Sequence, residues 1–137
     1  MDRLIDTPHI VELPKMPDAR GNLSFIEQCR HVPFRIQRVY WIYDVPGGEG
    51  RCGHAYRTGE EFIVALSGSF DVKVDDGVAE TVFTLNRSYR GLYVPAGYWR
   101  TIDDFSTNSV AMVLSSTAYD EDDYIRDYNQ YLKFRDE

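Results

Sequence analysis

Gly48–Gly68, GEGRCGHAYRTGEEFIVALSG, carries the most distinctive spacing of glycines and polar side chains in the chain. Its spacing runs Gly48, five residues, His54, one residue, Tyr56, four residues, Glu61, six residues, Gly68. The glycine-rich loop Val45-Pro46-Gly47-Gly48-Glu49-Gly50 leads into a strand carrying His54. A buried strand, Glu61–Leu66, follows, and Ser67-Gly68 closes it as a turn.

Outward from this stretch the chain breaks into short extended segments. On the N-terminal side, residues 5–16 (Ile5, Ile10, Val11, Leu13) are interrupted by Pro8 and Pro14, which suits an edge strand. Leu23–Gln28 is extended after the turn Pro17–Asn22. Phe34–Tyr43, FRIQRVYWIY, alternates with the period of two expected of a strand, and places an Arg and a Tyr on one face. On the C-terminal side, Ser69–Val74 alternates cleanly, and Asp75-Asp76-Gly77 is a hairpin turn where positive φ is required. Ala79–Leu85, Leu92–Val94 and Ala111–Leu114 supply further strands. Only Asp120–Lys133 has helical character, with Tyr124, Tyr128, Tyr131 and Leu132 at three- and four-residue steps and acids at its start. Strands this short and this frequent predict one all-β domain over residues 1–137, with a short C-terminal helical segment.

The central stretch resembles the first signature of the cupin family, in which two His and a Glu at this spacing hold a transition metal inside a double-stranded β-helix, a jelly-roll barrel. Tyr56 stands where the second His belongs. The second cupin signature is matched by Pro95-Ala96-Gly97, but Arg100 occupies its His position, Asp104 its Asn position, and its leading Gly is displaced to Gly91. The resemblance implies the barrel. The residues argue against the metal: a guanidinium has no lone pair to donate and adds positive charge where a cation would sit. His54 and Glu61 alone fall short of a stable transition-metal site, so no metal is expected.

Composition narrows the partners. With 137 residues, 43% hydrophobic and 27% charged, the chain is long enough for one cored domain. A net charge of −7 without a basic stripe argues against a nucleic-acid polymer. No apolar run of about 18 residues crosses a membrane, and the N-terminal residues show no secretory h-region. The two isolated cysteines, Cys29 and Cys52, suit a cytoplasmic protein with free thiols. Aromatics at 14%, ten of the residues being Tyr, suit strands and a site for a polar ring compound.

The chain also resembles one cupin branch, the WxcM-like dTDP-4-keto-6-deoxyglucose 3,4-ketoisomerases. The resemblance runs through Arg20-Gly21-Asn22-Leu23 with Glu27, Pro33-Phe34, Arg38-Val39-Tyr40, Gly53-His54-Ala55, Val74-Asp75-Asp76-Gly77, Trp99 with Asp104-Phe105-Ser106, and Tyr124-Ile125-Arg126-Asp127-Tyr128. It implies an isomerase that moves the ketone of a dTDP-linked 4-keto-6-deoxy sugar from C4 to C3 through an enediol, without metal or redox cofactor. It implies His54 as the base and Tyr40 as the residue that relays protons between the two carbons. It further implies a homodimer with exchanged N-terminal strands, and a product bound for an aminotransferase and a 3-amino-3,6-dideoxy sugar of a surface glycan. Where family members commonly read His-Ala-His, this chain reads His54-Ala55-Tyr56, which shifts proton traffic onto His54 with Tyr40 or Tyr56.

The other candidates keep two readings. Arg100 contacts substrate, while Glu61 binds substrate or partners an interior Arg. Arg20 and Arg51 grip the diphosphate or thymine ends or are solvated surface charges. Trp99 stacks on a base or sugar or packs the barrel. The competing functions are a non-catalytic sugar-nucleotide-binding cupin, which needs no base, and an epimerase on the same 4-keto sugar.

Overall fold

Proline and turn residues cut the chain into twelve strands, which a computed structural model describes over residues 7–137. In chain order they are β1 (His9–Glu12), β2 (Lys15–Met16), β3 (Leu23–Ser24), β4 (Arg38–Ile42), β5 (Arg51–Tyr56), β6 (Glu61–Ser67), β7 (Phe70–Asp75), β8 (Glu80–Leu85), β9 (Arg90–Val94), β10 (Trp99–Asp103), β11 (Val110–Ser115) and β12 (Tyr124–Ile125). One helix, α1 (Tyr128–Arg135), follows. It is not long and apolar enough to cross a membrane.

Ten strands form two five-stranded antiparallel sheets, ordered β1-β9-β6-β11-β4 and β12-β5-β10-β7-β8. Non-consecutive neighbours, such as β5 and β10 or β6 and β11, are the crossovers of a jelly roll. The expected all-β barrel with a short C-terminal helix is therefore the fold. Its core lies between the sheets, where Ile63, Ala65, Phe70, Val72, Leu92, Val94 and Val113 meet. Full burial of each such aliphatic side chain contributes roughly 1.5–3 kcal/mol. Strand β6 is buried on both faces at its start: Ile63 and Ala65 point inward, and Phe62 and Val64 pack outward with Val32, Phe34 and Tyr93.

Several boundaries differ from the sequence expectation, each for a local reason. The first edge strand is split at Pro14 into β1 and β2, and Ile5 lies outside the described residues. Phe34–Gln37 precedes β4 and is not part of it: the chain bends at Phe34, whose side chain turns into the second core cluster, and ladder pairing begins with Arg38 opposite Ser115. Strand β10 is not legible in the sequence, because Trp99–Asp103 puts a charged residue, Arg100, on its buried face with Ile102 and an aromatic one, Trp99, on its half-exposed face.

The acidic run opens a single 3₁₀ turn, Glu121–Asp123, and not the helix. Asp123 folds inward and accepts from Thr58 N, Thr58 Oγ1 and Gly59 N at 2.8, 2.9 and 3.0 Å. The chain then pairs as β12 with β5, Tyr124 opposite Tyr56 and Ile125 opposite Ala55. Helix α1 begins only after Asp127, whose carboxylate caps Gln130 N. Tyr131 on α1 shares its hydroxyl between Asp75 O and Gly97 O, each at 2.9 Å, which ties the helix to the hairpin turn and the Pro95–Gly97 turn.

Candidate active site

The inner faces of β4, β5, β6 and β10 close around a cavity of about 840 Å³ that opens at one end of the barrel. Alternation on β4 sends Arg38, Tyr40 and Ile42 inward and leaves Val39 and Trp41 exposed, with Trp41 also touching the edge of the cavity. His54 on β5 and Arg100 on β10 are direct cross-strand partners, so both side chains leave the same face. Tyr56 lies two residues beyond His54 on that face, and its ring meets the imidazole edge-on at a centroid distance of 4.9 Å.

The floor of the cavity is a charge pair. Arg100 Nη1 donates to Glu61 Oε1 at 2.6 Å, and both side chains are 1% exposed. The rest of the guanidinium is spent on Tyr98 O, at 3.1 Å from Nη2 and 3.3 Å from Nε. The other Glu61 oxygen accepts the Tyr40 hydroxyl at 2.6 Å. Burial first, and then the Glu61 charge, push the Tyr40 phenol well above its ordinary value. Tyr56 is raised as well, by burial and then by the same carboxylate, and its hydroxyl donates to that of Tyr124 at 3.1 Å. Both phenols are therefore neutral at physiological pH.

Cations gather at the mouth. Arg38 is half-buried, with its guanidinium 5.3 Å from the Tyr40 ring and 5.7 Å from that of Tyr119. Its Nε is buried with no hydrogen-bond partner, and no carboxylate among the described residues pairs with it. Arg126 stacks over Tyr124 at 4.1 Å but is already held in a two-point ion pair by Glu121. Arg51 is exposed on the rim.

The donor set does not fit the metal of ordinary cupins. Arg100 puts its guanidinium in contact with Glu61, one of the two ligand-type side chains retained, and Tyr56 stacks beside His54, the other. Among the described residues no three His, Cys, Asp or Glu side chains converge on a common point.

Six of the eight residues singled out in the sequence line this cavity: Tyr40, Arg51, His54, Tyr56, Glu61 and Arg100. Arg20 does not. It sits on an exposed turn, 90% exposed, with its guanidinium engaged by Asp18. Trp99 leaves β10 on the face opposite Arg100 and packs on Tyr128, Tyr131 and Gly53, where a Cβ would lie 2.6 Å from its Nε1. Arg100 is in the cavity wall, but the anion it meets there is Glu61. Arg38, Tyr119, Tyr124 and Arg126 were missed as site residues. For Arg38 the strand alternation was a usable signal; for the other three there was none, because the segment reads as helix and reaches the cavity only through β12.

A jelly-roll barrel whose cavity is lined by an imidazole, neutral phenols and an internal ion pair defines a cupin-type fold with a polar, titratable interior. The chain belongs to the family described as WxcM-like, C-terminal (FdtA), whose model matches residues 6–136. It is 42% identical over 125 residues to the TDP-4-oxo-6-deoxy-alpha-D-glucose-3,4-oxoisomerase of Aneurinibacillus thermoaerophilus, covering 91% of this chain and 90% of that protein. Among solved structures it resembles a 3,4-ketoisomerase from Helicobacter canadensis, at 32% identity and a TM-score of 0.92 over 95% of this chain and 98% of that one. It also resembles a mutant of the 3,4-ketoisomerase QdtA from Thermoanaerobacterium thermosaccharolyticum in complex with TDP-4-keto-6-deoxyglucose, at 31% identity and a TM-score of 0.91 over 94% of each chain.

Proposed function

We propose that residues 1–137 form one sugar-nucleotide isomerase domain that moves the ketone of dTDP-4-keto-6-deoxyglucose from C4 to C3. The observation that carries this is the joint lining of one cavity by an imidazole, His54, and a phenol, Tyr40. The reaction needs one group to carry a carbon-bound proton from C3 to C4 and another to carry a hydroxyl proton from O3 to O4. An imidazole, with an unperturbed pKa near 6.5, suits the first task. A neutral phenol, which can give and accept at one oxygen, suits the second. No step requires a metal, and the donor set does not fit one. The substrate named for the relatives is a TDP-linked keto sugar, and a cavity of about 840 Å³ is within the usual size for such ligands.

Tyr56 forms the wall behind His54 and, through Tyr124, reaches the cavity mouth. Of the cations that line the cavity, Arg38 and Arg51 have no carboxylate partner among the described residues, which supports them as the pair that receives the diphosphate; Arg20 and Arg100 are already engaged by Asp18 and Glu61. Trp99 contributes from outside the cavity, by bracing Gly53 next to His54.

The working form is inferred to be a homodimer, with N-terminal strands exchanged as the family resemblance implies. Support comes from the outer face of β4, β6 and β11, where Val39, Trp41, Tyr43 and Leu66 are 44–59% exposed on one sheet. A depression of about 590 Å³ in that face is lined by no carboxylate and no imidazole. A cytoplasmic setting agrees with the exposed free thiol of Cys29.

The test is to incubate the protein with dTDP-4-keto-6-deoxyglucose in deuterated water and follow the sugar by NMR, with His54→Asn as control. A ketone arising at C3, lost in the variant, supports the assignment. Wild-type protein that binds the nucleotide sugar and leaves it unchanged would make it a binding module. Exchange at C3 and C5 with the carbonyl left in place would make it an epimerase.

A further inference from the structure

The ion pair under the cavity does more than fill the space of a lost metal. It controls the direction in which the Tyr40 hydroxyl points. Glu61 Oε2 accepts the Tyr40 proton at 2.6 Å, and Arg100 holds the opposite oxygen of the same carboxylate at 2.6 Å. A phenol hydroxyl has one proton and two lone pairs. With the proton turned to Glu61, the lone pairs are what Tyr40 offers to a sugar in the cavity.

We propose that Glu61, paired with Arg100, is a positioning residue that makes Tyr40 start each turnover as a hydrogen-bond acceptor from the sugar C3 hydroxyl and couples its two proton transfers. This rests on the ketoisomerase assignment above. As His54 takes the C3 proton and negative charge develops on O4, the Tyr40 proton leaves Glu61 and is transferred to O4. The O3 proton moves onto the Tyr40 oxygen and turns to Glu61 in its place. The C3–H bond breaks as its proton passes to His54, and His54 returns that proton to form the C4–H bond; the O3–H bond breaks and a Tyr40 O–H bond forms, while the original Tyr40 O–H bond breaks and an O4–H bond forms. Glu61 remains a carboxylate and Tyr40 a neutral phenol at the end. The ketone at C4 is reduced and the carbinol at C3 oxidised within one molecule, so no outside oxidant or reductant enters.

The coupling has an electrostatic cause. A phenolate at Tyr40 would lie against the Glu61 carboxylate in a half-buried site, so giving a proton before receiving one is strongly opposed. Simultaneous exchange between two vicinal oxygens avoids that state. Without the carboxylate, nothing in the cavity floor fixes which way the Tyr40 proton points before the sugar reacts, and nothing opposes a phenolate at Tyr40, so the two transfers lose their coupling.

The test separates the work of His54 from that of Tyr40. In deuterated water, deuterium entering C3 of recovered substrate reports His54, and ketone arriving at C3 reports the complete transfer. In the charge-balanced variant Glu61→Gln/Arg100→Gln, the ratio of ketone migration to C3 exchange should fall at least tenfold, and Tyr40→Phe should show the same signature. Glu61→Asp keeps the charge pair and withdraws the oxygen from Tyr40; it should show the same fall and serves if the double variant does not fold. A merely structural role lowers both rates together. An unchanged ratio in a folded variant, whether both rates fall or neither does, overturns the proposal. Failure of the assignment itself is visible separately, as wild-type protein that moves no ketone.

Discussion

Arg100 and Glu61 meet at 2.6 Å with both side chains 1% exposed, one on β10 and the other on β6, so the pair bridges the two sheets of the barrel. In a barrel of this kind the same location ordinarily gathers a cation and its ligands. Here the cation is a side chain, permanently charged and unable to exchange. Removing one partner strands the other without solvent. Arg100→Met should lower the unfolding free energy by about 3–5 kcal/mol, and Arg100→Gln/Glu61→Gln should recover more than half of that. Denaturant titration of the three proteins measures it; a single variant costing under about 1 kcal/mol would show the pair is better solvated than its burial indicates.

Arg38 carries a guanidinium into the cavity without a carboxylate to meet it, and its Nε is buried and unpaired. A charge-assisted hydrogen bond to a ligand anion is worth about 1.5–3 kcal/mol, which is roughly ten- to hundredfold in affinity. Arg38→Met should weaken TDP binding by that factor in calorimetry, and Arg38→Lys by less. Unchanged affinity in the Met variant would move the diphosphate elsewhere.

Gly53 precedes His54 and lies flat against the Trp99 indole, with room for no side chain: a Cβ would stand 2.6 Å from Nε1 and 2.7 Å from Cε2. Gly53→Ala must push β5 or Trp99 aside. Because His54 is the next residue, turnover should fall more than nucleotide affinity does. Steady-state kinetics beside TDP titration resolves the two, and a Gly53→Ala protein with wild-type kcat would show that the strand yields without moving His54.

Glu121 holds Arg126 through two hydrogen bonds at 2.8 and 2.9 Å and accepts from Tyr119 at 2.6 Å. Arg126 first, and then Tyr119, lower its carboxyl from 4.5 to about 2. A folded value below the unfolded one adds stability that is complete above the unfolded value and is lost as pH falls through about 2. Glu121→Gln should therefore flatten the part of the acid-unfolding curve between pH 4.5 and 2. The effect is measured best at low ionic strength, since the pair is exposed and salt screens it. Curves that run parallel for the two proteins in this range would rule out the contribution.

The barrel and the position of its site were legible in the chain because both depend on local pattern. Period-two alternation, glycine turns and proline breaks set strand lengths, and the spacing of His54, Tyr56 and Glu61 survives even though the ligand set does not. Strand β4 is the clearest case: alternation alone put Arg38 and Tyr40 on one face, and the structure sends both into the cavity.

What tertiary structure alone decided is who pairs with whom. Arg100 and Glu61 carry charges that the sequence leaves without a partner, since the contact between them spans tens of residues. Glu61 and Arg100 are 39 positions apart, Glu61 and Tyr40 21. Only their convergence shows that Arg100 is neutralised from within and that Tyr40 donates inward. The C-terminal segment makes the same point. Its three- and four-residue periodicity suggested helix from Asp120, but pairing with an open edge of β5 satisfies backbone groups of Tyr124 and Ile125 that a helix would have satisfied internally. That choice brings Tyr124 and Arg126 to the cavity that Gly48–Gly68 had marked.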